Sequence, residues 1–379
     1  EAALLSAEEA AWTKNYAERS KGARADTVAL RKLELEFKQA MDSARAQVET
    51  NSYTGLLEQN GAQGVNAFTA DDITAYYFSL PSNRLELWAL MEGGRMAYPV
   101  FREFYTERDV VYEERRMRYE SSPIGRLLWE FITNAFVAHP YGFGGIGYPS
   151  DLKSFSREEG EAFYKKNYVA KNMCVSLVGD VKLDEVKQLA TKYWSDISDA
   201  PAPHPLDTVE PEQRAERRIL LEDEAQPYIL IGWHIPAASD PTYPAYEAAA
   251  SLLGGGAFAR LNKELVKEKK IVTAMQVGTG FPGEAYPNLF VVFALPAAGQ
   301  DPLVVEQEIY RVMNEVMTSK PFTAEEVAGY KTRVRAQKIG AAEANQSLAG
   351  ELAQAQMVYG DWHEFFRGAE RVQSLTPAD

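Results

Sequence analysis

The chain has 379 residues, 46% of them hydrophobic and 25% charged, with a net charge of −14. That charge argues against a nucleic-acid partner and leaves basic peptides open as ligands. No apolar run approaches the length of a membrane span, no signal-peptide pattern is present, and a single cysteine, Cys174, excludes an intrachain disulfide.

Residues 2–20 and 25–50 are rich in Ala, Glu, Lys and Arg and are split by Lys21-Gly22-Ala23-Arg24. Leu30, Leu33 and Phe37 keep a helical period, so residues 1–51 are expected to form a helical hairpin leaning on the body. Two short strands follow within residues 64–81, rich in aromatic and β-branched side chains around an Ala70-Asp71-Asp72 turn. Then come a helix, Pro99-Val100-Phe101, and a second helix carrying Glu107 and Glu114. Seven residues is close to two helical turns, so these two carboxylates share one face while Glu113 points elsewhere. Stacked acids repel unless a cation or a proton donor answers them; a solvated acidic face is the ordinary alternative.

The first half closes with a helix over 125–138, the sequence His139-Pro140-Tyr141-Gly142, a capping signal at Ser156-Arg157-Glu158-Glu159, and a helix to Tyr168. A strand is expected over 172–178, with Cys174 as a buried core thiol, and then a helix from Leu183. Residues 199–217 read as a linker: Pro201, Pro203 and Pro205 alternate, which neither helix nor strand tolerates, and His204 is solvated there. In the second half, 218–379, strands are expected over 228–235, 272–280 and 288–295. Its helices are expected over 243–253, 302–319 and 323–340, with one more ending at Tyr359. Each half runs strand, strand, helix, helix. One copy of this repeat lacks a beginning and the other an end, which points to a chain clipped at both ends.

Asn66-Ala67-Phe68-Thr69, Thr74-Ala75-Tyr76-Tyr77, the Glu107/Glu114 helix and His139-Pro140-Tyr141-Gly142 together resemble the insulinase-like, inverted-motif zinc metallopeptidases, which include mitochondrial processing peptidase and its bacterial relatives. The resemblance implies that Glu114 is a zinc ligand and that Glu107, beside it, is a catalytic acidic residue. It implies that Asn66, Ala67, Phe68 and Thr69 pair with substrate backbone. It also makes Gly254, Gly255 and Gly256 a loop that admits substrate, although a plain helix stop fits the same glycines. The family's other two ligands and its general base come from a His-x-x-Glu-His helix. Here the four histidines, His139, His204, His234 and His363, never fall four apart, so zinc needs ligands from outside the chain. An Arg and a Tyr that grip the substrate carbonyl in many members are replaced by Val266 and Thr273, and Arg333 and Arg335 lie near where a second Glu114 would fall. The second half is therefore expected to be metal-free.

Gly142-x-Gly144-x-x-Gly147 has dinucleotide-binding spacing but follows a helix instead of a strand, so a loop beside the active site is the better reading. Ser150-x-x-Lys153 lacks any companion motif. The expected fold is α+β: two similar halves, each an antiparallel-rich sheet with helices on one face. The implied function is a zinc-dependent endopeptidase holding peptide or unfolded polypeptide as an added strand, in a chamber between two halves or subunits. The alternative is a non-catalytic, chamber-completing subunit of the same fold. A second subunit of the same family, or a homodimer, is the implied partner, and export, as to a periplasm, the implied location.

Overall fold

The computed structural model describes residues 2–49 and 51–379. Glu1 and Thr50, the expected start of the hairpin and end of its second helix, lie outside the described residues. Helices α1 (Ala2–Arg19) and α2 (Thr27–Arg45) form the hairpin, and Asp26 opens α2 by accepting from the Val28 and Ala29 amides. Helix α3 (Ser52–Gln59), which the sequence reading passed over, leads into β1 (Gln63–Thr69) and β2 (Thr74–Ser79), an antiparallel pair with Asn66 opposite Tyr77 and Thr69 opposite Thr74. Then follow α4 (Leu85–Ala97), α5 (Phe104–Arg115), a π turn over Arg116–Glu120, α6 (Pro123–Ala135), α7 (Pro149–Ser154), α8 (Arg157–Asn167) and α9 (Leu183–Tyr193). The capping box read at Ser156 is present: Glu159 accepts from the Ser156 amide while its own amide donates to the Ser156 hydroxyl.

One expected strand is absent. Residues 173–178 run without a ladder partner, although Met173 has extended dihedrals. Extended backbone becomes a strand only when another strand takes up its amides and carbonyls, and no described residue does so here. Cys174 is accordingly half-buried and not a core thiol, though burial still pushes its thiol pKa up.

The second half holds β3 (Ile229–Ile235), α10 (Tyr243–Gly254), β4 (Val272–Phe281), β5 (Asn288–Pro296), α11 (Pro302–Thr318), α12 (Ala324–Glu343), α13 (Asn345–Tyr359) and α14 (Glu364–Ser374). The sequence reading stopped its helices at Tyr359 and missed α14, which buries Phe365 and Val372. Strands run β3-β5-β4, all antiparallel. Central β5 is buried on both faces, as its near-continuous apolar run requires. Phe290, Val292 and Ala294 join the main core with Leu253, Leu261, Leu265, Val305 and Ile309. On the opposite face Leu289 and Val291 pack with Phe136 and Tyr141, residues of the first half. Helix α6 lies close on that face: a Cβ at Gly232 would sit 2.5 Å from the Phe131 ring. The two halves are joined by packing as well as by the chain.

Residues 199–217 are strapped to this joint. Glu210 accepts from the amides of Val137, Ala138 and His139 at 2.8, 3.0 and 2.9 Å, and Arg217 caps the end of α6 by donating to the Asn134 and Ala135 carbonyls. The three hydrogen bonds hold the Glu210 carboxyl below the usual range against the cost of its burial. No described helix is long and apolar enough to cross a membrane.

Candidate functional site

Helix α5 is anchored from both ends of its buried face. Tyr105 is fully buried, with Trp12 stacked on it at 5.8 Å and Phe37 edge-on at 5.2 Å, so the hairpin packs directly on the acidic helix. Between them lies a buried charge network. Arg157 reaches Glu8 at 2.8 Å, Glu9 at 3.1 Å and the Leu5 carbonyl, and Tyr105 donates to Glu9 at 2.9 Å. Burial raises the Glu8 pKa even though the Arg157 charge pulls it down. At the other end Arg115 is buried over Trp129, donates to the Gly147 carbonyl at 2.8 Å and pairs with Glu120.

Glu107 and Glu114 sit on α5 as the spacing requires. Glu107 is exposed and Glu114 half-buried, and Arg118 pairs with Glu114 at 2.6 Å. Glu113 points away to Arg116. The histidines are engaged elsewhere. His139 accepts from the Tyr141 amide, and burial keeps its pKa below the ordinary value. His234 meets the Ala135 carbonyl at 3.0 Å, His204 stands in the exposed linker near Asp207, and His363 contacts Asp361. Among the described residues no group of three or more His, Cys, Asp or Glu could hold a metal ion. A catalytic zinc takes three protein ligands, so these residues do not fit one: Glu114 is at most a single donor.

Asn66, Ala67, Phe68 and Thr69 are all exposed, and β1 has β2 as its one strand partner among the described residues. The Ala67 amide donates to the Asn66 side-chain oxygen at 2.8 Å, a local bond that occupies a strand donor without a second strand. The three glycines at the end of α10 have structural reasons to be glycine. A Cβ on Gly254 would meet Val277 at 2.4 Å, one on Gly255 would meet the Ser251 carbonyl at 2.6 Å, and Gly256 has φ +116°. Asn262 pins this turn by donating to the Gly254 and Gly256 carbonyls. No hydrogen bond, ion pair or ring contact among the described residues joins α5, the β1 edge and the glycine turn. Val266 packs on the main core and Thr273 donates to the Leu295 carbonyl, so neither offers a group to a substrate carbonyl. Likewise Arg333 reaches Ser251.

The glycines at 142–147 fold the chain back against α6: Gly144 has φ +60° and a Cβ there would lie 2.7 Å from the Trp129 ring. What the sequence reading missed is Asp72. In the β1–β2 turn it accepts from Tyr141 at 2.6 Å and from the Glu284 and Ala285 amides at 2.7 and 3.1 Å. The Ala-Asp-Asp turn was visible in the sequence; its partner 212 residues away was not.

Residues 154–334 match the family model described as the peptidase M16 inactive domain. Zinc protease PqqE of Helicobacter pylori is 29% identical over 300 residues, covering 76% of this chain and 66% of that protein. The chain thus spans just under two thirds of that relative's length. An uncharacterized zinc protease of Mycobacterium leprae is 24% identical over 323 residues, covering 82% of this chain and 70% of that one. Among solved structures, a protease from Helicobacter pylori superposes with a TM-score of 0.81 at 24% identity, covering 88% of this chain and 81% of the other. A peptidase M16 inactive domain from Pseudomonas fluorescens gives 0.73 at 19% identity, covering 88% and 79%. At such identities these two show the fold, which is the expected α+β arrangement. Residues 154–334 thus match the domain that the family model describes as the inactive domain of peptidase M16, and the chain as a whole is similar to zinc proteases of that kind.

Proposed function

We propose that this chain is the polypeptide-holding part of an M16-type zinc endopeptidase, with an extended peptide added as a strand to the open edge of β1. The observation that supports this is the edge itself: four consecutive exposed residues, with the Ala67 amide donating to its neighbour's side chain and not to a second strand, a local bond that an incoming carbonyl would have to displace. In this reading Glu114 is one zinc ligand and Glu107 its acidic neighbour, and the remaining ligands come from polypeptide outside residues 1–379. The second half is a wall of the substrate chamber, and the turn at Gly254, Gly255 and Gly256 borders the entry path. A second subunit of the same family, or a second copy, closes the chamber.

In the intact protein Ala67→Pro removes one edge donor. It should leave the fold in place and raise KM for peptides about three- to tenfold, the value of one net hydrogen bond. An unchanged KM in the folded variant would place substrate elsewhere. Glu114→Gln, measured by metal analysis of the intact protein, should lose most of its bound zinc; wild-type stoichiometry would remove Glu114 from the ligand set. A second reading, a non-catalytic chamber subunit, is favoured by the Arg118–Glu114 ion pair, because a salt-bridged Glu114 has a partner without any metal.

A further inference from the structure

Asp72 stands at the point where the first half's hairpin touches the second half. Its carboxylate accepts three hydrogen bonds: from the Tyr141 hydroxyl at 2.6 Å, from the Glu284 amide at 2.7 Å and from the Ala285 amide at 3.1 Å. The Tyr141 hydroxyl in turn accepts from the Tyr286 amide at 3.3 Å, so both partners of the carboxylate converge on one turn between β4 and β5. The approach is close enough to dictate sequence. A Cβ on Gly283 would lie 2.4 Å from the Asp72 carboxylate and 2.5 Å from the Tyr141 hydroxyl. His139 and Tyr286 pack at 4.9 Å beneath, and the Tyr286 hydroxyl accepts from the Leu206 amide, which ties the linker to the same point. Burial and the Asp72 charge both push the Tyr141 pKa up, which keeps its hydroxyl a donor.

This joint has a consequence for β1. The hairpin is a two-stranded sheet, which has little stability by itself in water. Asp72 lies three residues beyond Thr69, the end of the open edge, with the turn closed by the Ala70 amide donating to the Ile73 carbonyl. We propose that Asp72 is a positioning residue, a latch that fixes the β1–β2 hairpin to the 282–286 turn and so holds the open edge Asn66–Thr69 in the orientation that accepts an extended peptide. The latch rests on the reading of β1 as the peptide-holding edge. Its geometry stands apart from that reading, because a carboxylate accepting two amides and a hydroxyl across the joint fastens the two halves whatever β1 binds. Alanine removes every acceptor at this point, whereas an asparagine keeps one oxygen for the two amides and can donate to the Tyr141 hydroxyl, which accepts as well as donates.

The test uses the intact protein and its Asp72→Ala and Tyr141→Phe variants, with amide hydrogen exchange at 284–285 and anisotropy of a labelled, unstructured peptide. Asp72→Ala should speed exchange at those amides at least tenfold and weaken peptide binding about tenfold. Its denaturation midpoint should stay close to that of the wild type. Tyr141→Phe leaves the two amide bonds, so it should show the same changes to a smaller degree. With a cleavable peptide the loss should appear in KM and not in kcat. Unchanged exchange in Asp72→Ala overturns the latch. Faster exchange with unchanged peptide affinity, or a fall in kcat alone, overturns the positioning role. If the wild type binds no peptide, the reading of β1 fails instead, and the exchange data alone decide whether Asp72 fastens the halves.

Discussion

Arg157→Met should destabilise the protein by about 3–5 kcal/mol, the usual cost of removing one partner from a buried ion pair. The side chains of Arg157 and Glu8 are 8% and 3% exposed, so water does not replace the lost partner. Removing the guanidinium leaves Glu8 facing Glu9 with its principal counter-charge gone, and strips a donor from the Leu5 carbonyl. Burial already raises the Glu8 pKa, and loss of the Arg157 charge that opposes this should raise it further in the variant. Stability should then fall as pH rises through the new pKa, because the folded state holds that proton more tightly than the unfolded chain. Since α1 and α2 meet the body at Tyr105, the first visible event should be release of residues 1–49, read as proteolysis at Lys21, Arg24 and Lys32. Equilibrium denaturation supplies the magnitude. The double variant Glu8→Gln, Arg157→Met should recover part of the loss, because no buried charge is then left alone. A single-variant loss below about 1 kcal/mol would mean that the hairpin does not depend on this pair.

How the hairpin docks was hidden from sequence reasoning, although its two helices were not. The helical period of Leu30, Leu33 and Phe37 is local, and so is the Asp26 cap. Glu8 and Arg157 are buried together although they lie 149 residues apart, and nothing in a polar helix marks which charge will be covered. The same division holds at the candidate site. The spacing of Glu107 and Glu114 fixes their shared face, because a helix has one period. It does not reveal Arg118 as the partner of Glu114, since any neighbouring cation could serve. The strand at 172–178 shows the reverse error: an apolar, β-branched run was read as a strand, but strand status depends on a neighbour that local composition does not supply. The three glycines at the end of α10 were readable as a stop. That Gly254 must clear Val277 on β4 follows only from the packing. Asp72 combines both limits, a recognisable turn residue whose work is done at a distance.

Gly125→Ala should cost about 3 kcal/mol, at the upper end of what overpacking one methyl causes, and its effect should reach the acidic helix. Gly125 is the third residue of α6, where any residue would accept the backbone conformation and alanine would ordinarily be favoured. The obstacle is contact. A Cβ there would lie 1.7 Å from the Arg118 carbonyl oxygen, 2.7 Å from its carbon and 3.0 Å from the Tyr119 Cα. These are backbone atoms of the π turn that ends α5, so no rotamer change relieves them. Either α6 or the π turn must move, and α6 is held by Arg126 to Asp223 and by its packing on the second half's sheet. The π turn therefore yields, which breaks the Arg118–Glu114 ion pair and shifts the end of α5 that carries Glu114. On the reading proposed above, in which Glu114 is a zinc ligand, Gly125→Ala in the intact protein should lower zinc content by displacing that carboxylate while leaving it unsubstituted, a result that separates its placement from its chemistry. Gly94→Ala is the control. Nothing lies within 4 Å of a Cβ at that helical position, so the substitution should raise stability by about 0.5–1 kcal/mol through the smaller entropy of the unfolded chain. If Gly125→Ala matched this control in denaturation, the close approach of α6 to the end of α5 would not exist in solution, and the support it gives to Glu114 would go with it.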